Sequence, residues 1–389
     1  MPTGVKALAA VAALSIGAQP SSLPRFDRVM LLETTSETSA NVHIGDVNGD
    51  GHLDIVLAKG RHWGLVDRVL IGDGRGRFPS AYDLGPASDK TYSGNLVDLD
   101  GDGDIDVVIS NDTPDPKRIY LNDGKGRFRE VDTYGRAQWS TRNAAVADVN
   151  GDKLPDIIVA NRDVPERAGN YVCLNRGKGQ FDDDCFLFSK ESATTITPAD
   201  VNRDGRVDLI VPHRDGGQSH VYLNTSGGAA LSFSPVAFGP ADATIRASAA
   251  ADLDRDGRID IVAIDEKRGV FAFYGKGGDA WSAAVPIGAR GRTPYALAVH
   301  DVNADGTIDL IVGHVEAPST VFFTDRSGRS FTLVDFGDGK GTAYGFDIGD
   351  LDEDGRLDIA MARSDAPNVV YFGGRSSGAQ VRRGRAAAQ

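Results

Sequence analysis

A nine-residue pattern, Asp-x-Asp/Asn-x-Asp-Gly-x-x-Asp, recurs seven times in this chain of 389 residues, with successive starts 52, 50, 52, 52, 49 and 49 residues apart. Its oxygen-bearing positions are Asp46, Asn48, Asp50 and Asp54; Asp98, Asp100, Asp102 and Asp106; Asp148, Asn150, Asp152 and Asp156; Asp200, Asn202, Asp204 and Asp208; Asp252, Asp254, Asp256 and Asp260; Asp301, Asn303, Asp305 and Asp309; and Asp350, Asp352, Asp354 and Asp358. A fixed period of this length means that one supersecondary unit is copied along the chain, each copy burying its apolar face against the next. The fold must therefore be an array of seven similar units.

The spacing inside the pattern has a chemical reading. Calcium takes six to eight oxygen ligands at roughly 2.3–2.6 Å in a tolerant geometry. Oxygens at loop positions 1, 3, 5 and 9, with a backbone carbonyl near position 7, can wrap one ion, and glycine at position 6 makes the sharp turn. Asp-Gly clusters also serve ordinary turns, but a turn needs one or two such residues and not four oxygens at fixed offsets. Like charges so close together would repel unless a cation sat among them. The loops are read as Ca²⁺ sites, up to seven in all. The third copy has Lys153 where glycine belongs. Its four side-chain oxygens survive, so a weaker site is expected, with Lys153 in an unfavourable backbone conformation or the turn shifted.

Short apolar, β-branched runs follow the loops: Ile55-Val56-Leu57-Ala58, Val107-Val108-Ile109-Ser110, Ile157-Ile158-Val159-Ala160, Leu209-Ile210-Val211, Ile261-Val262-Ala263-Ile264 and Leu310-Ile311-Val312. These read as buried strands; a helix-loop-helix calcium module would need an amphipathic helix there. A second strand comes next, as in Arg118–Asn122, Tyr171–Asn175 and His220–Asn224, and then a Gly-rich turn and an aromatic opening a further strand: Phe78, Phe128, Phe181, Phe233, Trp281 and Phe331. With the strand entering each loop, every unit has four. The fold class is all-β, a seven-bladed β-propeller with four antiparallel strands per blade. The seventh unit runs out after Val369 to Phe372, without an outer strand, while the chain's ordered part begins with Phe26-Asp27-Arg28-Val29-Met30-Leu31-Leu32. Residues 26–33 are predicted to complete the last blade, leaving no half-paired edge at the seam.

The run Asp46-Val47-Asn48-Gly49-Asp50-Gly51 with its apolar strand, and Leu121-Asn122-Asp123-Gly124-Lys125-Gly126-Arg127-Phe128, resemble the FG-GAP or VCBS repeat. That repeat builds the integrin α-subunit head and many secreted bacterial proteins. The resemblance covers residues 26–374 and implies a seven-bladed propeller with calcium in the hairpin loops of one face. It implies no single function, because so widely reused a fold hosts many.

The net charge is −13, and the loops explain it. Three aspartates per loop at positions 1, 5 and 9, plus Asp100, Asp254 and Asp352 at position 3, make 24 of the 55 acidic residues. Seven Ca²⁺ would bring the total to about +1. The acidity is thus a ligand inventory, and no basic stripe suggests nucleic acid. At the N-terminus Lys6 precedes an apolar run from Ala7 to Ile16, and Ile16-Gly17-Ala18 offers a small residue for cleavage. Residues 1–18 are read as a secretory signal peptide too short to span a membrane, 19–25 as a leader, 26–374 as the propeller and 375–389 as a disordered basic tail. Export fits loops whose Kd lies around 10⁻⁴–10⁻³ M, which would stay empty in a cytosol. The location expected is secreted, periplasmic or cell-surface, and the chain is read as a monomer. Cys173 and Cys185 flank one hairpin; a symmetric turn about Gly177 and Lys178 would pair Cys173 with Asp182, so a disulfide needs a bulge, the alternative being two buried thiols.

A ligand is expected on the face opposite the loops. Six residues before each loop stand Ala40, Tyr92, Arg142, Thr194, Arg246, Tyr295 and Tyr344; five residues after its last aspartate stand Lys59, Asn111, Asn161, His213, Asp265, His314 and Arg363. Both sets are expected to ring the mouth of the central channel, with His62, Trp63 and Trp139 nearby. Aromatic faces stack on sugars and arginine grips carboxylate or sulfate in two-point hydrogen bonds. The residues Tyr92, Arg142, Arg246, Tyr295, Tyr344, His213, His314 and Arg363 are read as ligand-binding, for a glycan or a protein partner. A wet polar mouth is the bland alternative. The other class is a polysaccharide lyase, in which Tyr or His removes a proton and Arg neutralises a uronate carboxylate. No G-x-S-x-G, H-E-x-x-H or Walker sequence is present, so no catalytic residue is assigned.

Overall fold

The computed structural model describes residues 23–162, 169–181, 184–227, 230–277, 279–288 and 291–374. These form seven four-stranded antiparallel sheets, with no helix among the described residues. Six sheets use four consecutive strands each, the first being Ser39–Gly45, Asp54–Lys59, Arg68–Ile71 and Ser80–Asp83. The strands that enter the loops contact one another in an unbroken cycle: Ser39–Gly45, Thr91–Val97, Thr141–Ala147, Thr197–Ala199, Ile245–Ala251, Pro294–His300, Thr342–Gly349 and back to Ser39–Gly45. They are the innermost strands of seven blades around one axis.

Why the second strand of each blade reads as a continuous apolar run is now plain. Asp54–Lys59, Asp106–Asn111, Asp156–Asn161, Asp260–Asp265 and Asp309–His314 are buried at every residue, because each lies between two neighbouring blades and so has no solvent face. Side chains such as Ile55, Val107 and Ile157 are fully buried there, each contributing about 1.5–3 kcal/mol. The apolar clusters accordingly straddle blade interfaces; one holds Val56 and Val69 of blade 1 with Val107 and Tyr120 of blade 2.

The seventh blade closes with the N-terminal strand. Arg25–Leu31 pairs antiparallel with Val369–Gly374, Met30 opposite Val370 and Leu31 opposite Val369. The strand begins one residue before the expected 26, so the leader expected over 19–25 gives up Arg25, and it stops at Leu31, although Leu32 N–H still donates to Asn368 O at 2.8 Å. Phe26 is buried at this seam, its ring 5.3 Å from that of Phe336. The apolar run of residues 7–16 and the basic tail from 375 lie outside the described residues.

Two hairpins depart from the simple picture. Phe233 and Phe331 open their outer strands, whereas Phe78 and Phe128 stand just ahead of Ser80–Asp83 and Arg129–Tyr134, and Phe181 and Trp281 form isolated bridges to Asn175 and Gly275, well ahead of Phe186–Ser189 and Val285–Ile287. In blade 3 the register then advances by two residues, from Asn175 opposite Phe181 to Val172 opposite Phe186. That advance, and not a symmetric turn, sets Cys173 against Cys185, and the two form a disulfide. The asparagine of the Leu-Asn motif ties blades together. Asn122, Asn175 and Asn224 donate from Nδ2 to the carbonyls of Val47, Leu99 and Val149, in the loop of the preceding blade, at 2.7–2.9 Å.

Candidate functional site

Each acidic loop is a cage of carboxylates folded by its own backbone. The position-1 aspartate accepts the position-6 N–H at 2.8–3.0 Å in all seven copies, as in Gly51 to Asp46 and Gly355 to Asp350. The position-9 aspartate is buried and fixed by two N–H donors. One comes from position 2 of its own loop and one from the end of the blade's third strand, as in Val47 and Gly72 to Asp54. These bonds join loop to blade and aim the carboxylates inward. Burial pushes the position-9 carboxyls up to about 6 in Asp54, Asp106, Asp156, Asp208 and Asp260, and up to about 7 in Asp309 and Asp358; the paired N–H groups oppose the rise and the neighbouring carboxylates add to it.

The residues fit a hard cation. Asp98, Asp100 and Asp106 bring carboxylate oxygens within 4.8 Å of one another, as do Asp252, Asp254 and Asp260, and Asp350, Asp352 and Asp358. Oδ1 of Asp252, of Asp254 and of Asp352 is buried without a hydrogen-bond donor, an arrangement that a cation would satisfy. In the other four loops asparagine at position 3 supplies a neutral oxygen. Lys153 keeps the loop's shape at a local cost. Its φ is 72°, against 81–93° for the six glycines at this position, and its N–H donates to Asp148 at 2.8 Å like theirs.

The opposite end of the inner strands carries a feature that turns side chains into the channel. Six of the seven inner strands bulge, two residues facing one on the partner strand. The extra residues are Ala40, Tyr92, Arg142, Arg246, Tyr295 and Tyr344. A bulge re-aims the side chain it adds, and all six line one central pocket of about 160 Å³ together with Thr194 of the fourth blade, whose inner strand has no bulge. From Tyr92 to the loop at Asp98 is six residues, or about 20 Å of strand, so this mouth and the loops lie at opposite ends of the channel.

Guanidiniums and phenols interleave at the mouth. The Tyr295 and Tyr344 hydroxyls share a 2.8 Å hydrogen bond, their rings meeting edge to face. Arg246 lies 3.5 Å over the Tyr295 ring, Arg61 3.7 Å over Tyr344 and Arg142 4.6 Å over Tyr92. Arg246 donates to the Tyr295 carbonyl and shares Glu266 with Arg214, while Arg142 Nη1 stands 2.6 Å from Asp112, out of line for a hydrogen bond. Burial raises the Tyr295 phenol, but Arg246, the Tyr344 hydrogen bond and Arg214 outweigh it, and the net shift is downward. Tyr344 moves up, burial dominating. His62 stands 3.2 Å from the Tyr92 hydroxyl, its own pKa lowered by burial and by Arg61 and Arg142.

The second set of predicted mouth residues does not reach the pocket. Lys59, Asn111, Asn161, Asp265, His314 and Arg363 sit directly opposite the residues that precede the bulges, in the buried register between blades. Arg363 donates to Pro367 O and Asp338, and His314 Nδ1 is 2.9 Å from Pro318 O; both brace returning loops. Lys59 is clamped by Glu33 and Glu37 beside a cleft of about 620 Å³ at the seam, and His213 lines one of about 580 Å³ between blades 3 and 4. Trp63 is 68% exposed beside His62, whereas Trp139 stacks on Tyr171 away from the axis. Sequence reading missed Arg61 and Arg214, which stand just beyond the ends of second strands; no spacing rule marked them.

Comparison with known proteins agrees with this architecture. The FG-GAP-like repeat profile matches residues 46–109, 98–159, 148–211, 200–263, 252–312 and 301–361, each match running from one acidic loop through the next blade's second strand. No curated protein matches the chain. Among solved structures, the BP39L lectin from Burkholderia pseudomallei superposes with a TM-score of 0.66 at 14% identity, covering 88% of this chain and 97% of that one. BBS1N, solved in complex with ARL6DN, gives 0.60 at 13%, covering 92% and 98%. An Agrocybe aegerita lectin, solved for its specific recognition of non-reducing terminal N-acetylglucosamine, gives 0.53 at 19%, covering 77% and 80%. At these identities the likeness is one of fold. The repeat matches, the seven closed blades and the loop at the head of every unit together make this chain a member of the FG-GAP-like repeat family.

Proposed function

We propose that the protein is an exported binding module. Calcium in the loops of one face stiffens the ring, and a glycan or protein ligand is gripped at the channel mouth on the other. The observation that carries this is the set of six bulges. Five of the six turn a tyrosine or an arginine, Tyr92, Arg142, Arg246, Tyr295 and Tyr344, toward one axial pocket, which gives it the aromatic and cationic lining of a ligand site. Lectins and a protein-bound propeller share the fold, which supports a binding role. The carboxylate cages, with three buried oxygens lacking donors, support calcium. An oxidising compartment suits the disulfide and the weak affinity expected of such loops.

Arrays of glycans and peptides test this directly. Wild-type retention that Arg142→Ala and Tyr344→Ala both abolish, with melting curves preserved, is the result expected. Equal retention by both variants would sink the mouth as the ligand site. A second reading has one observation behind it: Tyr295, its phenol shifted down beside two guanidiniums, has the makings of a base for β-elimination at a uronate. There the phenolate would take the proton α to the carboxylate and the glycosidic oxygen would leave. Appearance of the unsaturated-uronate chromophore, lost in Tyr295→Phe, would establish that reading; ligand retention without it refutes it.

A further inference from the structure

We propose that the mouth recognises an oxyanion, the carboxylate or sulfate of an acidic polysaccharide, and holds it on the guanidiniums of Arg61, Arg142, Arg214 and Arg246. This rests on the mouth being the ligand site. Its basis is a local concentration of buried polar atoms without a hydrogen-bond partner. Among the described residues twelve buried side-chain atoms lack a hydrogen-bond partner, and six belong to this mouth: His43 Nε2, Thr194 Oγ1, Thr195 Oγ1 and Arg142 Nη1 on residues that line the pocket, the last of them ion-paired with Asp112, and Arg61 Nε and Arg214 Nε on residues packed against its tyrosines. Buried polar groups in native proteins are paired almost without exception, so such a concentration marks a place where a ligand completes the bonding. The ligand must bring acceptors, because a guanidinium only donates.

Charge points the same way. The four guanidiniums face Asp112 and Glu266, and Asp347 stands 4.0 Å from His43, so guanidiniums outnumber carboxylates at the mouth of a chain whose net charge is −13. The planar fork of arginine matches the two coplanar oxygens of a carboxylate, or two oxygens of a sulfate. Size and walls favour a sugar over a peptide. A pocket of about 160 Å³ has room for one ring-sized group, roughly five water volumes, and not for a strand or helix. Arg61 and Arg142 lie over the rings of Tyr344 and Tyr92, so cations and aromatic walls stand side by side around one pocket.

Calorimetric titration of the full chain in calcium buffer decides this, with hyaluronan as the carboxylate probe, dextran sulfate as the sulfate probe, and dextran and poly-L-glutamate as comparisons. Hyaluronan or dextran sulfate should bind, more weakly as salt is added. Each of Arg61→Gln and Arg142→Gln should weaken that binding about tenfold, whereas Arg75→Gln, exposed on an outer hairpin of blade 1, should leave it unchanged. Should Arg142→Gln misfold by circular dichroism, Arg61→Gln and competition by free glucuronate or sulfate carry the test. Failure of both acidic polymers to bind, equal binding of poly-L-glutamate, or undiminished affinity in the arginine variants would overturn the proposal. Dextran binding lost in Tyr344→Ala would also overturn it, while leaving the mouth standing as a ligand site.

Discussion

Lys153 offers a measurement in which one backbone angle sets the outcome. Its φ of 72° lies where a residue with a Cβ costs roughly 1–2 kcal/mol, while the six equivalent glycines adopt 81–93° freely. The Lys153 side chain is exposed and makes no ion pair among the described residues, and its N–H bond to Asp148 is retained by any residue that holds the turn. Lys153→Gly therefore removes strain and loses no contact. Against this, glycine adds entropy to the unfolded chain, worth roughly 0.5–1 kcal/mol. The net stabilisation is centred on about 0.75 kcal/mol, within a range of roughly 0–1.5, and for a ring of this size that centre is a rise of about 1 °C in Tm. Differential scanning calorimetry with calcium saturating resolves such a shift. The reciprocal Gly103→Lys, at φ 93° with no atom within 4 Å of an added Cβ, should lower Tm by a similar amount. Because occupancy depends on the same turn, Lys153→Gly should also bind one calcium more tightly in titration. A fall in Tm for Lys153→Gly, or an unchanged Tm for Gly103→Lys, would refute the reasoning that strain at position 6 separates this loop from the rest.

Other outcomes follow from other parts of the ring. Chelation should lower Tm by many degrees, since each occupied loop adds about 1–3 kcal/mol at 10 mM calcium if its Kd is 10⁻⁴–10⁻³ M; an unchanged melting curve would rule out structural calcium. Asn175→Ala strips the buried carbonyl of Leu99 and the half-buried one of Pro155 of their donor and should cost roughly 1–3 kcal/mol by chemical denaturation, against near-neutrality if the inter-blade bond is incidental. Lys117 is buried, donates to Trp139 O at 2.9 Å, and has its pKa pushed down to about 8 by burial, with Asp112 and Asp115 opposing. The unfolded chain keeps that proton up to about 10.4, so between pH 8 and 10.4 the unfolded state binds more protons and stability from this site rises with pH, by up to about 3 kcal/mol. Lys117→Met should flatten that rise in Tm; an identical pH profile in both proteins would contradict it.

The fold was legible because its information is repeated and local. Seven loops fixed the number of units, the β-branched runs behind them fixed the strand type, and the missing outer strand of the seventh unit pointed to Phe26 and its neighbours as the closure. What the sequence did not show is register. Spacing alone cannot tell that Tyr92 is an extra residue facing no partner while Asn111 lies squarely opposite Thr91. Two positions that look equally near the mouth therefore end on different surfaces, one in the channel and one between blades. The same blindness affected Cys185, whose pairing with Cys173 depends on a two-residue advance in the outer strand. Arg61 and Arg214 escaped notice for another reason. They reach the mouth from second-strand ends, where loop conformation and not periodicity decides direction.

Hydrogen exchange on the ligand-bound protein tests the division of labour between the two faces most directly. With the retained array ligand bound, amides around the bulges at Tyr92, Arg142, Arg246, Tyr295 and Tyr344 should gain protection, and those of the seven acidic loops should not change once calcium is saturating. Protection confined to the loops, or to the outer strands with the bulges unaffected, would contradict a ligand site at the channel mouth.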